Sequence, residues 1–402
     1  MFARSVSRRH FLRDSALIAM APGIPAFLGR TARGADAKTD GRILVVIQMD
    51  GGNDGINTVI PFADPGYAEH RKELKIADDK LIKLNDQVAL HPNLKPFAEL
   101  LDDGRLAIVQ GVGYPNPDRS HDVSMAIWQT ARFDPDEHNS FGWIGRALDA
   151  APQPADGAPH SVLIADRTPP VALRGRRSAS VAFTSFGDLQ LKSGAALAAS
   201  PTSTDSDDLL AFARRTALDA TATADLVADV ARSSAADAAA YPTTELAGRL
   251  KTVAQLIKAG FATPVYYAIQ SGYDTHAAQL PAHGRLLREL AAAVKAFLDD
   301  LKSAGAGDRV LVLGFSEFGR RVEENASLGT DHGTSGPVFL AGAGIKSGLH
   351  QATPSMTDLV DGDLRMSVDF RSVYAAILTR WLMIDPLPVL NGEFPTIDAV
   401  IG

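Results

Sequence analysis

The sequence contains no cysteine in its 402 residues. Disulfides, thiolate zinc sites and cysteine-bound iron–sulfur clusters are therefore excluded, and any metal ion must be held by His, Asp or Glu. Long apolar stretches are also missing, because no run approaches the ~18 apolar residues that a membrane-spanning helix needs. The composition, 46% hydrophobic and 22% charged, is that of an ordinary globular protein.

Three widespread catalytic and nucleotide-binding motifs are absent as well. The sequence has no G-x-S-x-G nucleophile elbow, no G-x-x-x-x-G-K-[ST] loop and no G-x-G-x-x-G following a strand. A metal-free Ser-His-Asp hydrolase is therefore disfavoured, although it stays open as a third hypothesis, and nucleotide binding is disfavoured too.

The N-terminus has the parts of an export signal. Arg8 and Arg9 precede a mildly apolar stretch over residues 16–28, and a small-x-small cleavage pattern follows at residues 35–37. This order predicts a twin-arginine signal over residues 1–37, with the twin-arginine translocase as a partner and a periplasmic or secreted mature protein. The alternative is a basic disordered tail.

Removal of the signal makes the chain more acidic. Residues 1–37 contain six Arg and two acidic residues, so their loss takes the net charge from −7 to −11. Nucleic-acid binding needs a basic surface, and anionic membranes also attract basic segments. Neither partner is expected for the mature chain, residues 38–402.

Apolar runs and helical patterns alternate along the chain and predict an α/β fold. The runs lack strict alternation of apolar and polar residues, which indicates strands buried on both faces of a doubly wound, mostly parallel sheet flanked by helices. A stretch rich in Ala, Asp, Ser and Thr over residues 187–259 predicts a helical insertion or cap. The predicted strands are Ile43–Met49, Leu106–Val112, Ser161–Ala165, Pro264–Gln270, Val310–Phe315 and Pro337–Ala343.

Polar residues of the types that bind metals or act in catalysis lie at the boundaries of these strands. Ligands bind beyond the carboxyl ends of the strands in open α/β sheets, so these residues are expected to meet at one edge of the sheet. Each has an ordinary alternative: Asp50 as a turn residue, Ser120 as a helix N-cap, Arg320 as a surface ion pair. His121 is predicted either to contact substrate or to point into solvent. The boundary residues are Asp50, Asn53, Ser120, Asp274, His276, Glu317, Arg320, Asp331 and His332.

Carboxylates and imidazoles in this arrangement suit one or two divalent ions, such as zinc, manganese, iron or magnesium. Two ions about 4 Å apart would activate a nucleophile and stabilise a leaving oxygen. Ser120, at a predicted helix start, would face the partial positive charge of the helix dipole, which favours an alkoxide and an incoming anion.

Several motifs together resemble the DUF1501 family. They are "IQMDGGNDGINTVIP", "RSHDVSMAIWQT", "GYDTH", "SEFGR", "TDHG" and "VFLAGAGIKSGLHQ", and they span nearly all of the mature chain. The resemblance implies twin-arginine export and a fold related to alkaline phosphatases and sulfatases.

The wider superfamily implies roles for individual residues. Asp50, Asp274, His276, Asp331 and His332 correspond to metal ligands, and Ser120 corresponds to the nucleophile. The sequence departs from the superfamily pattern in two places: its first pair is Asp-x-His and not Asp-x-x-x-His, and Asp369 stands where a late histidine is expected.

These features favour an exported metal-dependent hydrolase of phosphate or sulfate esters, acting on a small anionic substrate. Asn53 and Arg320 are candidates for contacts to the oxyanion. The alternative is a non-catalytic exported binding protein that retains the phosphatase-like fold. The altered Asp-x-His spacing and the missing late histidine favour that alternative.

Overall fold

The computed structural model describes residues 41–154, 158–184 and 239–402. The predicted signal at residues 1–37 and most of the predicted helical insertion, residues 187–238, lie outside these ranges. The strands are β1 Ile43–Asp50, β2 Val59–Ile60, β3 Ile82–Lys83, β4 Ala89–Leu90, β5 Leu106–Gly113, β6 Ser161–Ile164, β7 Ser180–Phe183, β8 Val265–Ser271, β9 Val310–Phe315, β10 Gly336–Gly342, β11 Gly348–His350, β12 Leu359–Val360, β13 Asp363–Leu364 and β14 Val368–Asp369.

Eight α-helices accompany these strands in the described ranges. The fragment of the predicted insertion that is described contains α5, which packs against α6. The helix α7 continues into a π-helical turn over Ile377–Trp381. The helices are α1 Pro65–His70, α2 Lys95–Asp102, α3 His121–Thr130, α4 Trp143–Ala150, α5 Glu245–Lys258, α6 Gln279–Ser303, α7 Phe370–Ala376 and α8 Pro386–Leu390.

The central sheet has nine strands and is mixed but mostly parallel. Its order is β11-β5-β10-β9-β1-β8-β6-β7, with β14 also paired to β5. Only β10 runs antiparallel to its neighbours, β5 and β9, among the described strands of this sheet. The predicted α/β class and parallel sheet are confirmed, and the strand bounds differ by one residue at most.

Alternate residues of β1 belong to different hydrophobic layers, which explains its continuous apolar run. Val45 and Ile47 face one core with α2, α5 and α6, whereas Leu44 and Val46 face a second core with α3, α4 and α7. Burial on both faces removes any need for polar residues along the strand. Function is therefore confined to the strand ends and the loops that follow them.

The turn after β1 brings two loops close together through glycine. Gly51 and Gly52 have φ of 121° and 78°, a region that L side chains rarely adopt. A Cβ on Gly51 would lie 2.5 Å from the backbone nitrogen of Asp274, and one on Gly52 would lie 2.3 Å from the Phe318 ring. The turn can therefore approach both the loop after β8 and the loop after β9.

Among the described residues, no helix combines the length and the apolar character required to cross a bilayer.

Two buried histidines next to this turn are expected to make the protein sensitive to acid. Burial lowers the pKa of both His91 and His283 to about 4, from an ordinary 6.5. His283 lies inside α6, and its Nε2 is 2.9 Å from Asn53 Oδ1.

The unfolded chain therefore binds protons on His91 and His283 before the folded chain does. Stability should fall as the pH drops from about 6.5 to about 4, by roughly 2–3 kcal/mol for each histidine. Urea midpoints across this range measure the slope. His283→Gln should flatten it, and His350→Gln, on a half-buried histidine, should not; equal slopes in all three proteins would contradict this origin.

Candidate metal centre

Four segments that are distant in sequence meet at one edge of the central sheet. Asp274 follows β8, Glu317 follows β9, and His121 is the first residue of α3 after β5. His332 precedes β10, and because β10 is antiparallel its start lies at the same edge as the ends of its neighbours. The sheet topology therefore accounts for the convergence.

One oxygen of Asp274 is the hub of this edge. Its Oδ1 lies 2.7 Å from Arg320 Nη2, 2.9 Å from His276 Nδ1, 3.1 Å from His332 Nε2 and 3.4 Å from His121 Nε2. Partial burial would raise the pKa of Asp274, but the hydrogen bond and the positive charge of Arg320 outweigh it and hold the pKa at about 2. The carboxylate is therefore ionised at neutral pH.

A buried glutamate orients His121. Glu317 is 1% exposed and accepts from the backbone N–H of Gly51 at 2.9 Å. Its Oε1 lies 2.8 Å from His121 Nδ1, and this hydrogen bond raises the pKa of His121. With Nδ1–H donating to the carboxylate, the neutral imidazole turns the lone pair of Nε2 toward Asp274.

His332 is oriented in the same way by a backbone carbonyl. Its Nδ1 lies 2.7 Å from the Arg119 carbonyl oxygen and donates to it, so the Nε2 lone pair also faces Asp274. Two imidazole lone pairs and a carboxylate oxygen then point at one another. Such an arrangement is repulsive unless a proton or a metal ion lies between them.

The donor set fits a divalent metal ion. His121, Asp274 and His332 each offer one ligand atom, and these atoms lie within 4.8 Å of one another. Neighbouring ligand atoms in a tetrahedral zinc site are about 3.3 Å apart, as follows from metal–ligand distances near 2.0–2.1 Å. The separations of 3.1 and 3.4 Å from Asp274 Oδ1 match this value. His121 Nε2 also has no hydrogen-bond partner among the described residues.

An aromatic ring supports the two imidazoles. The Phe318 ring centroid lies 4.9 Å from that of His121 and 4.8 Å from that of His332. Packing against this ring, together with the Nδ1 hydrogen bonds, limits the rotation of both histidines. The site is therefore organised by the protein itself.

Of the five predicted metal ligands, the structure brings three together and places two elsewhere. Asp274, His276 and His332 share the hub. The Asp50 carboxylate instead accepts from Gln48 Nε2 at 3.1 Å and from Ser271 Oγ at 3.3 Å. Asp331 is exposed, and its Oδ1 accepts from Asn325 Nδ2 at 3.1 Å.

The three residues predicted to act on the substrate differ in their exposure and in their hydrogen bonds. Ser120 is the exposed N-cap of α3, and its backbone N–H donates to Asp118 at 2.6 Å. Asn53 is buried, with its backbone N–H bonded to Ser316 Oγ. Arg320 is 1% exposed and donates to four backbone carbonyls as well as to Asp274, so it is no surface ion pair.

The late positions that depart from the superfamily pattern have local partners. Asp369 caps α7 by accepting from the backbone N–H of Arg371, and it also pairs with the Arg371 guanidinium. His350 Nε2 lies 2.6 Å from the carbonyl oxygen of Lys346. In the described part of the chain, neither residue belongs to the group around Asp274.

Two residues of the site were missed or left undecided by the sequence. The sequence predicts that His121 either contacts substrate or points into solvent, and it marks Glu317 only as a strand-boundary residue. A histidine next to the predicted nucleophile position, and an acid directly after a buried strand, were the available signals. Neither signal shows that the two side chains meet across 196 residues.

A buried ion pair lies below the site. Asp54 and Arg71 are both fully buried, and Arg71 Nη1 and Nη2 lie 2.7 and 3.0 Å from the two carboxylate oxygens. Burial alone would raise the pKa of Asp54, but the Arg71 charge overcomes this and lowers the pKa to about 2. Gln279 Nε2 donates to the same carboxylate, and Arg71 also donates to the carbonyl of Val322. This pair fixes the loop after β1 to the loop after β9.

The family profile described as "Protein of unknown function (DUF1501)" matches residues 42–380. The chain belongs to the DUF1501 family. The predicted resemblance is thereby confirmed over most of the sequence. No curated protein matches this DUF1501 chain.

Solved structures similar to this DUF1501 protein include two bacterial proteins and one mouse protein. The PsFucS1 sulfatase from Pseudoalteromonas sp. aligns with 11% identity and a TM-score of 0.42, covering 94% of this chain and 75% of that one. The C-terminal periplasmic domain of EcEptC from Escherichia coli aligns with 10% identity and a TM-score of 0.41, covering 90% of this chain and 89% of that one. Murine ectonucleotide pyrophosphatase/phosphodiesterase 5, inactive and in complex with AMP, aligns with 9% identity and a TM-score of 0.36, covering 89% of this chain and 97% of that one.

Removal of one partner of the buried ion pair should destabilise this DUF1501 protein strongly. Arg71→Met leaves the Asp54 carboxylate buried without compensation, which costs about 3–5 kcal/mol in the free energy of unfolding. Urea unfolding at pH 7 measures the loss. The double variant Arg71→Met/Asp54→Leu should recover a large part of it.

The matched control is Arg365→Met, since Arg365 and Asp358 form a pair with side chains 57% and 68% exposed. This change should cost no more than about 1 kcal/mol. An equal cost for both arginines would contradict a special role for the buried pair.

Proposed function

We propose that this protein is an exported, metal-dependent hydrolase of phosphate or sulfate esters. The observation that carries the proposal is the meeting of three ligand atoms, from His121, Asp274 and His332, within 4.8 Å of one another, while the Nδ1 atoms of both histidines bond to other groups. A divalent cation between these groups would satisfy all three atoms.

His121, Asp274 and His332 would hold the ion, and His276, which contacts Asp274, lies beside it. A divalent ion in this position supplies a Lewis acid that polarises an ester oxygen and stabilises developing negative charge. Glu317 keeps the Nδ1 proton on His121, and the Arg119 carbonyl keeps it on His332. The second ion suggested by the sequence has less support, because Asp50 and Asp331 lie outside this group.

Ser120 is the proposed nucleophile. It is exposed, and it adjoins His121 at the N-terminus of α3, a helix of ten residues. The partial positive charge of this helix end favours the alkoxide of Ser120 and an incoming anionic ester. Of the other predicted contacts, Arg320 acts on Asp274 and not on the substrate, since its donors are used within the protein.

Export is proposed from the sequence of residues 1–37. The paired arginines, the apolar stretch and the small-x-small pattern occur in the order of a twin-arginine signal. A route that carries folded proteins suits a chain whose ligand atoms come together only through the tertiary structure. The twin-arginine translocase would then be its partner during export.

A non-catalytic metal-binding role is the second candidate. The observation that favours it is the commitment of Arg320 to bonds within the protein together with the burial of Asn53, which is 2% exposed; both leave the oxyanion without these two predicted contacts. A metal ion at the hub would then be structural. Metal content and turnover together separate the two candidates.

The metal content of the protein should depend on the ligand atoms of Asp274 and His332. The purified mature chain is expected to contain about one divalent ion, measured by inductively coupled plasma mass spectrometry. Asp274→Asn and His332→Gln each remove a ligand, so the loss of affinity should exceed the roughly 10–100-fold that loss of a supporting residue costs. His350→Gln is the control and should keep the ion. A metal-free native protein that takes up no ion from zinc or manganese solutions would contradict the proposal.

Ser120 should be required for ester hydrolysis but not for binding of the metal ion. Chromogenic phosphate and sulfate esters are the substrates, with EDTA as the test of metal dependence. Ser120→Ala should lower kcat by at least about a thousandfold, as removal of a nucleophile does in covalent catalysis, and should leave the bound ion in place. A metal-loaded native protein that leaves every ester intact would favour the binding role.

A further inference from the structure

A small space is lined in part by Phe318, the residue whose ring packs against the two histidines. It measures about 10 Å³, roughly the volume that one water centre requires. Its walls come from the loop after β1, from α3, from the end of β9 and from the start of β10. The lining residues that matter are Asn53, Trp128, Ser316, Phe318 and Pro337.

Asn53 is one of the residues that line this space, and its side-chain amide is held in place. Asn53 is 2% exposed, and its backbone N–H donates to Ser316 Oγ at 2.9 Å. Its Oδ1 lies 2.9 Å from His283 Nε2, which fixes the plane of the amide. The other end of the amide, Nδ2, has no hydrogen-bond partner among the described residues.

The Trp128 indole presents a second fixed donor. Trp128 is 3% exposed and stacks on Phe315 and on Phe370, with ring centroids 5.2 and 4.6 Å apart. The plane of each phenyl ring lies within 26° of the indole plane. The stacking holds the indole plane, so the direction of Nε1–H is set. This N–H also has no partner in the described part of the chain.

Two unpaired donors around one space require an acceptor. Buried polar groups are paired in almost all native proteins, because an unpaired donor loses its hydration without compensation. Asn53 and Trp128 are independent in sequence and both line the same space, so one occupant can satisfy both. Ser316 also lines the space, but its Oγ already bonds to the Met49 carbonyl and to Glu317.

The size of the space requires a small occupant, and the nearby charge favours a neutral molecule over an anion. The Glu317 carboxylate lies close by, with its Oε2 3.0 Å from Ser316 Oγ, and Ser316 lines the space. This buried negative charge disfavours a halide. A water molecule has two lone pairs for the two donors, and it serves either orientation of the Asn53 amide because it both donates and accepts.

We propose that one ordered water molecule occupies this space and accepts hydrogen bonds from Asn53 Nδ2 and Trp128 Nε1. It bridges the loop after β1 to α3, the helix that begins with His121. The buried water therefore belongs to the framework that positions the metal centre. The bridge does not depend on the proposed ester hydrolysis.

The three tryptophans of the chain allow a sharp test by NMR with ¹⁵N-labelled indoles. The Trp128 indole proton should show a direct cross-peak to a long-lived water, and Trp128→Phe identifies its signal. Trp381 is the internal control, because its Nε1 donates to the carbonyl of Ile43 at 3.1 Å and should show no such cross-peak. Absence of a water cross-peak at Trp128 would overturn the proposal.

A crystal structure at high resolution, with a bromide soak, tests the chemical identity of the occupant. A density peak within about 3 Å of both nitrogens and without anomalous signal supports water. A bromide peak at that position, or a dry space, would overturn it. In Trp128→Phe, which retains a stacked ring, the peak should disappear or move off the position of the lost donor; an unchanged peak would show that Nε1 does not hold it.

Discussion

The guanidinium of Arg320 is the interaction on which the rest of the site depends. It donates to the carbonyls of Gly51 and Gly52 after β1, to that of Tyr273 after β8 and to that of Thr330 before β10. A single buried cation thus joins three loops and also pairs with the Asp274 carboxylate. Its planar fork of donors is suited to such a role, whereas a lysine would supply a point charge without the same directions.

The sheet provides the second constraint. Parallel strands deliver Asp274 and Glu317 to one edge by their carboxyl ends, and the antiparallel β10 delivers His332 to that edge by its amino end. The glycine turn after β1 then closes the space between these loops. Neither the strands nor the turn carries a ligand atom, yet both determine where the ligand atoms lie.

Much of the framework could be predicted from the sequence, because apolar runs bounded by polar residues report directly on buried strands. The same logic placed Asp274 and His332 at a common edge. It did not identify the contacts of Asp50 and Asp331, since a boundary position does not state the direction of a side chain: Asp50 lies at this edge beside Ser271, yet its carboxylate accepts from Gln48, two residues away on its own strand. His121 and the ion pair of Asp54 required contacts across long separations, which no local pattern encodes.

The distance along the chain between the parts of this edge has a consequence for biosynthesis. Gly51 and Arg320 are 269 residues apart, and the hub needs residues up to His332. Contacts of such long range close late, after the entropy of large loops has been overcome. A nascent chain therefore leaves the ribosome almost complete before the side chains around Asp274 can meet, so this group forms late in folding.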